Sequence, residues 1–189
     1  HLTEIVPCLA TDWTISDDGL TYTFNLRSDA KFQAGQYQDG RALTADDVKY
    51  ALERSATESA MNRLSMLDHV NVVSDTQVEC VLKQPAASFL TALTDAGNVI
   101  VPKEEVEGWG DAFGDHLVGS GPFSLKSFTK DQVSELVRND NYWGDKPALD
   151  GIKETIENGG EAVLKNETKG ESYKLCYSFS GRQKDIILA

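Results

Sequence analysis

An eight-residue segment near the start of the chain alternates without exception between apolar and polar side chains. Its apolar members are Leu20, Tyr22, Phe24 and Leu26, and its polar members are Thr21, Thr23, Asn25 and Arg27. Because successive side chains of a strand point to opposite faces, this pattern predicts a strand with one buried face and one polar face. The preceding Ser16-Asp17-Asp18-Gly19 contains an Asp-Gly step, which is typical of hairpin turns. Residues 9–15 are therefore expected to form the other strand of a hairpin.

A helix is predicted to follow this hairpin after a loop rich in glycine and glutamine. Thr44 can cap the free backbone amides of a helix, and the two aspartates that follow lie where the helix dipole favours negative charge. Apolar residues then recur at helical spacing from Val48 onward. We expect this helix to run to about Ser55.

The remaining predicted elements are short and mixed in order. Strands are expected at 69–73, 76–82, 98–101, 123–128, 133–138 and 173–179, and helices after Pro85, after Pro102 and, as a short stretch, at 161–165. Residues 56–68 fit either a second short helix or a loop. Because strands and helices alternate without a regular βαβ pattern, the sequence predicts an α+β (mixed α/β) fold.

Charge and hydropathy exclude two classes of function. Of the 189 residues, 30 are acidic and 18 are basic, which gives a net charge of −12. Such a surface repels phosphate backbones, so we expect no nucleic-acid partner. No apolar run approaches the roughly 20 residues of a membrane-spanning helix, which excludes an integral membrane protein.

The sequence contains none of the common catalytic or metal-binding patterns. It has no Gly-x-Ser-x-Gly elbow, no P-loop and no His-Glu-x-x-His helix. Its three cysteines are far apart, and no histidine has a second His or Cys at ligand spacing. Gly119-Ser120-Gly121 could cradle an anion through its amides or form a tight turn before the next strand. We therefore expect no catalytic residue, no metal ligand and no cofactor.

Several separated blocks, in order, resemble one known family. The blocks are residues 7–27, 43–54, 101–103, 119–123 and 137–152, and the last of them contains Asn139-Asp140-Asn141-Tyr142-Trp143-Gly144. Together they resemble the family 5 extracellular solute-binding proteins, the dipeptide-, oligopeptide- and nickel-binding receptors of ABC importers. The resemblance extends from residue 5 to about residue 152.

The resemblance implies a fragment of a type II periplasmic-binding-protein-like fold, in which two lobes close over a ligand and a small extra domain is inserted in the first lobe. Residues 1–117 resemble that extra inserted domain, and residues 118–152 resemble the return strands of the first lobe. Residues 153–189 depart from the family pattern at this place and resemble a segment of the second lobe. We therefore expect a truncated or internally deleted fragment that lacks much of the second lobe.

The family resemblance also implies a function. It predicts the substrate-binding component, or a fragment of it, of an ABC importer for peptides, nickel chelates or a similar small solute, with a membrane permease as partner. It predicts an extracytoplasmic protein, periplasmic or lipid-anchored on the outer face of the cell membrane, whose signal peptide lies outside this sequence. The alternative is a non-binding structural or protein-interaction module derived from the same family.

Three residues are predicted to face the ligand cleft, although none matches a family ligand residue position by position. They are Arg63, Met66 and Asn98. Each also has a structural explanation, as a solvated arginine, a core methionine and a turn asparagine respectively.

Overall fold

The computed structural model describes residues 4–129, 133–145, 162–166 and 171–175, and the chain divides into two compact units, His1–Lys146 and Pro147–Ala189. The strands of the first unit are β1 (Ala10–Ile15), β2 (Thr21–Leu26), β3 (Leu67–Ser74), β4 (Gln77–Leu82), β5 (Phe123–Thr129) and β6 (Val133–Arg138). Its helices are α1 (Ala45–Glu58), α2 (Phe89–Leu93) and α3 (Lys103–Trp109), with 3-10 turns at Ala96–Asn98 and Gly110–Asp115. In the second unit, β7 (Ala162–Asn166) pairs antiparallel with β8 (Glu171–Leu175).

A four-stranded antiparallel sheet forms the base of the first unit, in the order β1-β2-β4-β3. The predicted hairpin joins β1 to β2, and its turn closes where the Gly19 amide donates to the Ser16 carbonyl at 2.8 Å. Gly19 has a φ of +69°, a conformation that glycine adopts without steric cost. The predicted alternation of β2 is confirmed, since its apolar members from Tyr22 to Leu26 are buried and the residues between them are not.

Helix α1 packs on this sheet and closes the core. Its Val48, Ala51 and Leu52 are buried, as the helical spacing predicts. Thr44 is the N-cap and forms a capping box with Asp47. The helix runs to Glu58, one turn beyond the predicted end, and residues 59–66 form a loop. Under α1, burial raises the pKa of the Cys80 thiol to about 12, so this cysteine stays protonated and unreactive at neutral pH.

Three of the predicted elements are wrong or displaced. The strand expected at 98–101 is absent, because the chain there forms the Ala96–Asn98 turn and then continues without a strand partner in the described residues. The helix expected after Pro85 begins only at Phe89. The helix expected at 161–165 is instead strand β7, and the strand expected at 173–179 is described as β8, which ends at Leu175, with the rest outside the described residues. Within the described residues, no helix is long and apolar enough to cross a bilayer.

One arginine connects helix α3 to the start of helix α1. The Arg41 guanidinium donates two hydrogen bonds to Asp47, at 2.7 and 2.8 Å, and two more to Glu104, both at 2.8 Å. Asp47 also accepts from the Thr44 backbone amide at 2.9 Å. Paired planar contacts of this kind are the strongest form of charge-assisted hydrogen bond.

This connection predicts a measurable pH dependence of stability. The hydrogen bond from Arg41 lowers the pKa of Glu104 below its ordinary value. A depressed carboxyl pKa stabilises the fold above the unfolded pKa, and this contribution is lost as the pH falls through the folded pKa. In urea unfolding series between pH 6 and pH 3, we expect Arg41→Ala to show a shallower loss of stability on acidification than the parent chain. Arg138→Ala, which removes the exposed pair with Asp140, should keep the parent slope, and equal slopes for all three proteins would contradict the assignment.

Candidate functional site

An apolar cavity of about 840 Å³ lies beside the four-stranded sheet. We refer to it below as the apolar cavity. Its walls come from β1, β2, α1, α2, the segment 94–101, the turn 117–122, the hairpin β5–β6 and the aromatic pair Tyr142–Trp143. The residues that line the cavity are therefore drawn from widely separated parts of the chain, between Ile5 and Trp143.

The lining of the apolar cavity offers little charge to a ligand. Asp95 is the single formally charged side chain among the described lining residues. Its carboxylate is already engaged, because one oxygen accepts from the Gly97 amide at 3.0 Å and the other lies 3.2 Å from the Arg63 guanidinium. A carboxylate or a metal chelate placed in this cavity would find no unpaired cation among those residues.

Gln33 fixes the turn that leads into the hairpin. Its side-chain amide donates to the carbonyls of Gly121 at 3.1 Å and Phe123 at 2.7 Å, and its backbone amide donates to the Gly119 carbonyl at 2.8 Å. These contacts favour the tight-turn interpretation of Gly119-Ser120-Gly121 over an anion cradle. They position the start of β5 at the cavity.

The segment that follows β6, residues 139–143, places Trp143 at the wall of the apolar cavity. Asn139 is buried, and its side chain donates to the Gly121 carbonyl at 2.9 Å. The Trp143 ring packs against the core and lies under the Arg27 guanidinium, 4.4 Å from the ring centroid. Its indole Nε1 is buried and has no hydrogen-bond acceptor in the described part of the chain. Most buried polar atoms of folded proteins are paired, so this donor is unusual.

The three predicted ligand-contact residues have different positions. Asn98 lines the apolar cavity, is 7% exposed, accepts a hydrogen bond from the Ser55 hydroxyl and donates to the Ala92 carbonyl at 2.7 Å. Arg63 is half exposed and reaches the cavity rim through its ion pair with Asp95. Met66 is partly buried against the core and does not line the apolar cavity. Arg63 and Asn98 both contact Asp95, Arg63 through the carboxylate and Asn98 through its backbone amide, which donates to the Asp95 carbonyl at 3.0 Å.

A second aromatic cluster lies outside the apolar cavity. The Trp109 ring stacks on His116, with centroids 3.6 Å apart and an interplanar angle of 9°, and Tyr37 contacts it edge-on at 5.6 Å. The Trp109 indole N–H donates to Glu105 at 3.0 Å. Among the described residues, no group of three His, Cys, Asp or Glu side chains could hold a metal ion.

Comparison with known proteins places these features in a family. The family model "Bacterial extracellular solute-binding proteins, family 5 Middle" matches residues 4–172. The chain is 31% identical over 169 residues to di/tripeptide-binding protein 2 of Pseudomonas aeruginosa (strain UCBPP-PA14), a match that covers 78% of this chain and 32% of that protein. It is 32% identical over 159 residues to the nickel-binding periplasmic protein of Escherichia coli (strain K12), covering 79% and 29%. The chain spans about a third of the length of these relatives.

Solved structures of periplasmic binding proteins also match this chain. The periplasmic binding protein DppA from Helicobacter pylori, in complex with the peptide STSA, matches with a TM-score of 0.66 and 27% identity, over 83% of this chain and 37% of that one. NikZ from Campylobacter jejuni, in complex with Ni(L-His), matches with a TM-score of 0.66 and 25% identity, over 84% and 35%. The mixture of helices and sheets described above is therefore that of periplasmic binding proteins. As the ordered blocks of its sequence indicate, the chain belongs to the family 5 bacterial extracellular solute-binding proteins.

Proposed function

We propose that this chain is part of the substrate-binding component of an ABC importer for peptides, nickel chelates or a similar small solute. The observation that carries the proposal is the family match over residues 4–172. The similar proteins are named for di- and tripeptides, glutathione and nickel, and they are solute-binding proteins rather than enzymes. Members of this family are typically periplasmic or otherwise extracytoplasmic. A permease in the membrane would be the partner that receives the solute.

The division of the chain among family domains forms part of this proposal. Residues 1–117 would be the extra inserted domain, residues 118–152 the return strands of the first lobe and residues 153–189 a second-lobe segment. One observation supports the first boundary: β5 and β6 follow it directly and form a two-stranded sheet separate from the sheet of β1 to β4.

The charge distribution supports the proposal that this chain supplies one wall of a binding site. Ligand sites usually bury most of the ligand surface and hold its orientation with a few placed polar groups. Asp95 is the charged residue among the described residues that line the apolar cavity, and its carboxylate is already paired with Arg63. A zwitterionic peptide or a nickel chelate would therefore need groups from a second wall. In this proposal, Arg63 would contact a solute carboxylate at the cavity rim, and Asn98 and Met66 are the other proposed contacts, of which Asn98 lines the cavity and Met66 packs against the core.

Isothermal titration calorimetry tests the proposal with two proteins, the 189-residue chain and the complete product of its reading frame. The probes are a dipeptide, glutathione and a nickel–histidine chelate. We expect the complete product to bind one of these classes, and the 189-residue chain to bind the same probe at least about 100-fold more weakly, since one wall buries only part of the ligand. Absence of binding by the complete product to all three probes would contradict the proposal and favour the non-binding module.

Arg63→Ala in the complete product tests the proposed solute contact. Loss of a charge-assisted hydrogen bond is expected to weaken binding of a solute with a free carboxylate by about tenfold or more. The matched control is Arg54→Ala, which removes an exposed pair with Glu58 on helix α1. Equal affinities for these two variants would remove Arg63 from the proposed site.

A further inference from the structure

Strand β3 lies at an edge of the four-stranded sheet, with β4 on one side and no strand of the described part of the chain on the other. An edge strand presents N–H and C=O groups that can pair with another polypeptide. At Val70 both of these groups are occupied by side chains. The Val70 amide donates to Glu53 Oε1 at 2.9 Å, and its carbonyl accepts from Lys49 Nζ at 2.5 Å. Both backbone groups therefore point away from β4.

The two side chains that bind Val70 form an ion pair on α1. Lys49 Nζ lies 2.6 Å from Glu53 Oε1, the same oxygen that accepts from the Val70 amide. The pair thus offers Val70 one acceptor and one donor. A residue of a neighbouring antiparallel strand offers the same two groups, because hydrogen-bonded residues of such strands exchange both bonds. The Lys49–Glu53 pair therefore occupies the place of an added strand.

The ion pair is present at neutral pH. Lys49 and Glu53 are four residues apart on α1, a spacing at which opposite charges attract each other on a helix surface. Partial burial of the Glu53 carboxyl opposes its ionisation, but the hydrogen bonds from Lys49 and from the Val70 amide lower its pKa below the ordinary value. Glu53 is therefore ionised at neutral pH and accepts both hydrogen bonds.

The edge beyond Val70 is suited to pairing with an identical strand. Val72 lies opposite Val78 of β4, two residues after Val70, so its N–H and C=O also point outward. Val72 and Val73 are 38% and 51% exposed, and β-branched residues favour strands. Two copies of this edge can pair antiparallel about a two-fold axis, because the same surface then serves both partners.

We propose that Lys49 and Glu53 form an edge cap, which occupies the backbone groups of Val70 and prevents a second copy of this chain from adding its own β3 to the sheet. A strand that paired with Val72 would have to displace the cap two residues away. The net charge of −12 opposes self-association, but salt at about 0.15 M screens this repulsion beyond about 8 Å. A local block is therefore needed at the edge itself. The inference does not depend on which solute the protein binds.

A double substitution that leaves the net charge unchanged tests the edge cap. Lys49→Ala/Glu53→Ala removes the cap, and alanine preserves the helix propensity of α1. In sedimentation velocity at about 0.15 M salt, we expect this variant of the 189-residue chain to dimerise at least about tenfold more tightly than the parent chain, because Val70 can then pair with a strand. The matched control is Arg54→Ala/Glu58→Ala, which removes a second ion pair of the same helix and should associate like the parent.

Proline at position 72 tests whether the association uses β3. Val72→Pro removes the outward amide, and proline is tolerated on an edge strand where the N–H faces solvent. Added to Lys49→Ala/Glu53→Ala, it should restore the association of the parent chain. Association that persists in this triple variant would belong to another surface and would overturn the inference. Parent-level association of Lys49→Ala/Glu53→Ala, or equal association of the control pair, would overturn it as well.

Hydrogen exchange gives the decision if the proline variant does not fold. In Lys49→Ala/Glu53→Ala, the amides of Val70 and Val72 should exchange more slowly as the protein concentration rises, because only the dimer protects them. Asn71 is the reference, since it lies opposite Glu79 of β4 between these two residues and its amide already faces that strand. Exchange at Val70 and Val72 that is independent of concentration would show that β3 does not pair, and the inference would be wrong.

Discussion

Replacing Glu105 by alanine is expected to lower the free energy of unfolding by about 2–4 kcal/mol. The Glu105 side chain projects from α3 and is fully buried. One carboxylate oxygen accepts from the backbone amides of Tyr37 at 2.6 Å and Gln38 at 3.1 Å, and the other accepts from the Trp109 indole at 3.0 Å. Alanine would leave all three donors without this partner. Urea unfolding followed by far-ultraviolet circular dichroism measures the loss.

Two further variants separate hydrogen bonding from general effects on α3. Glu105→Gln keeps one acceptor oxygen, so it should cost about half as much as alanine. Glu107→Ala changes the same helix at a side chain that is 61% exposed and 3.6 Å from Lys103, and it should change the stability by less than about 0.5 kcal/mol. Similar losses for Glu105→Ala and Glu107→Ala would contradict the role assigned to the buried carboxylate.

The contacts of Glu105 also show why the loop before α1 could not be predicted from its composition. Sequence reasoning identifies residues 33–40 as a loop because they are rich in glycine and glutamine. Their conformation depends on Glu105, which is 68 positions from Tyr37 in the chain. A Cβ atom at Gly35 would lie only 2.2 Å from a Glu105 oxygen, so glycine is required there for space. Local patterns carry no information about a partner this distant.

Elements with strong local sequence signals are predicted correctly, because they depend mainly on residues that are close in the chain. The hairpin of β1 and β2 follows from strict alternation and an Asp-Gly turn, and α1 follows from its cap and helical spacing. The failures involve short apolar runs, which fit more than one structure. Residues 98–101 do not form a strand because the Asp95 side chain caps a 3-10 turn that includes Asn98, and β7 is a strand because it pairs with β8.

The sequence predicts the protein family to which the candidate site belongs, but it does not predict the geometry of the site. The ordered blocks identify the solute-binding family, and the family match confirms it. The apolar cavity, by contrast, is assembled from residues that lie as far apart as Ile5 and Trp143. Asp95 and Gln33 acquire their roles only through Arg63 and the turn at 119–123. The solute contacts proposed for Arg63, Met66 and Asn98 stay predictions until binding is measured.

The largest loss of stability is expected for Phe89→Ala, about 3–5 kcal/mol, because the substitution removes a buried aromatic ring and leaves a cavity. Phe89 is fully buried and contacts the Tyr22 ring edge-on, with centroids 4.9 Å apart. It is also the single buried residue of α2, a helix of only five residues. This helix is too short to be stable without packing, so Phe89 holds it in place.

The same variant should change the apolar cavity, because α2 contributes Leu90 and Leu93 to the cavity wall. Loss of the Phe89 anchor frees that wall, so Phe89→Ala should increase Nile red binding by the 189-residue chain as well as lower its unfolding free energy. Phe128→Ala is the matched control, since Phe128 is 40% exposed on β5 and should cost less than about 1 kcal/mol. If Phe89→Ala destabilised the chain but left dye binding at the parent level, the wall would be held by contacts other than the core, and the coupling of core to cavity through α2 would be wrong.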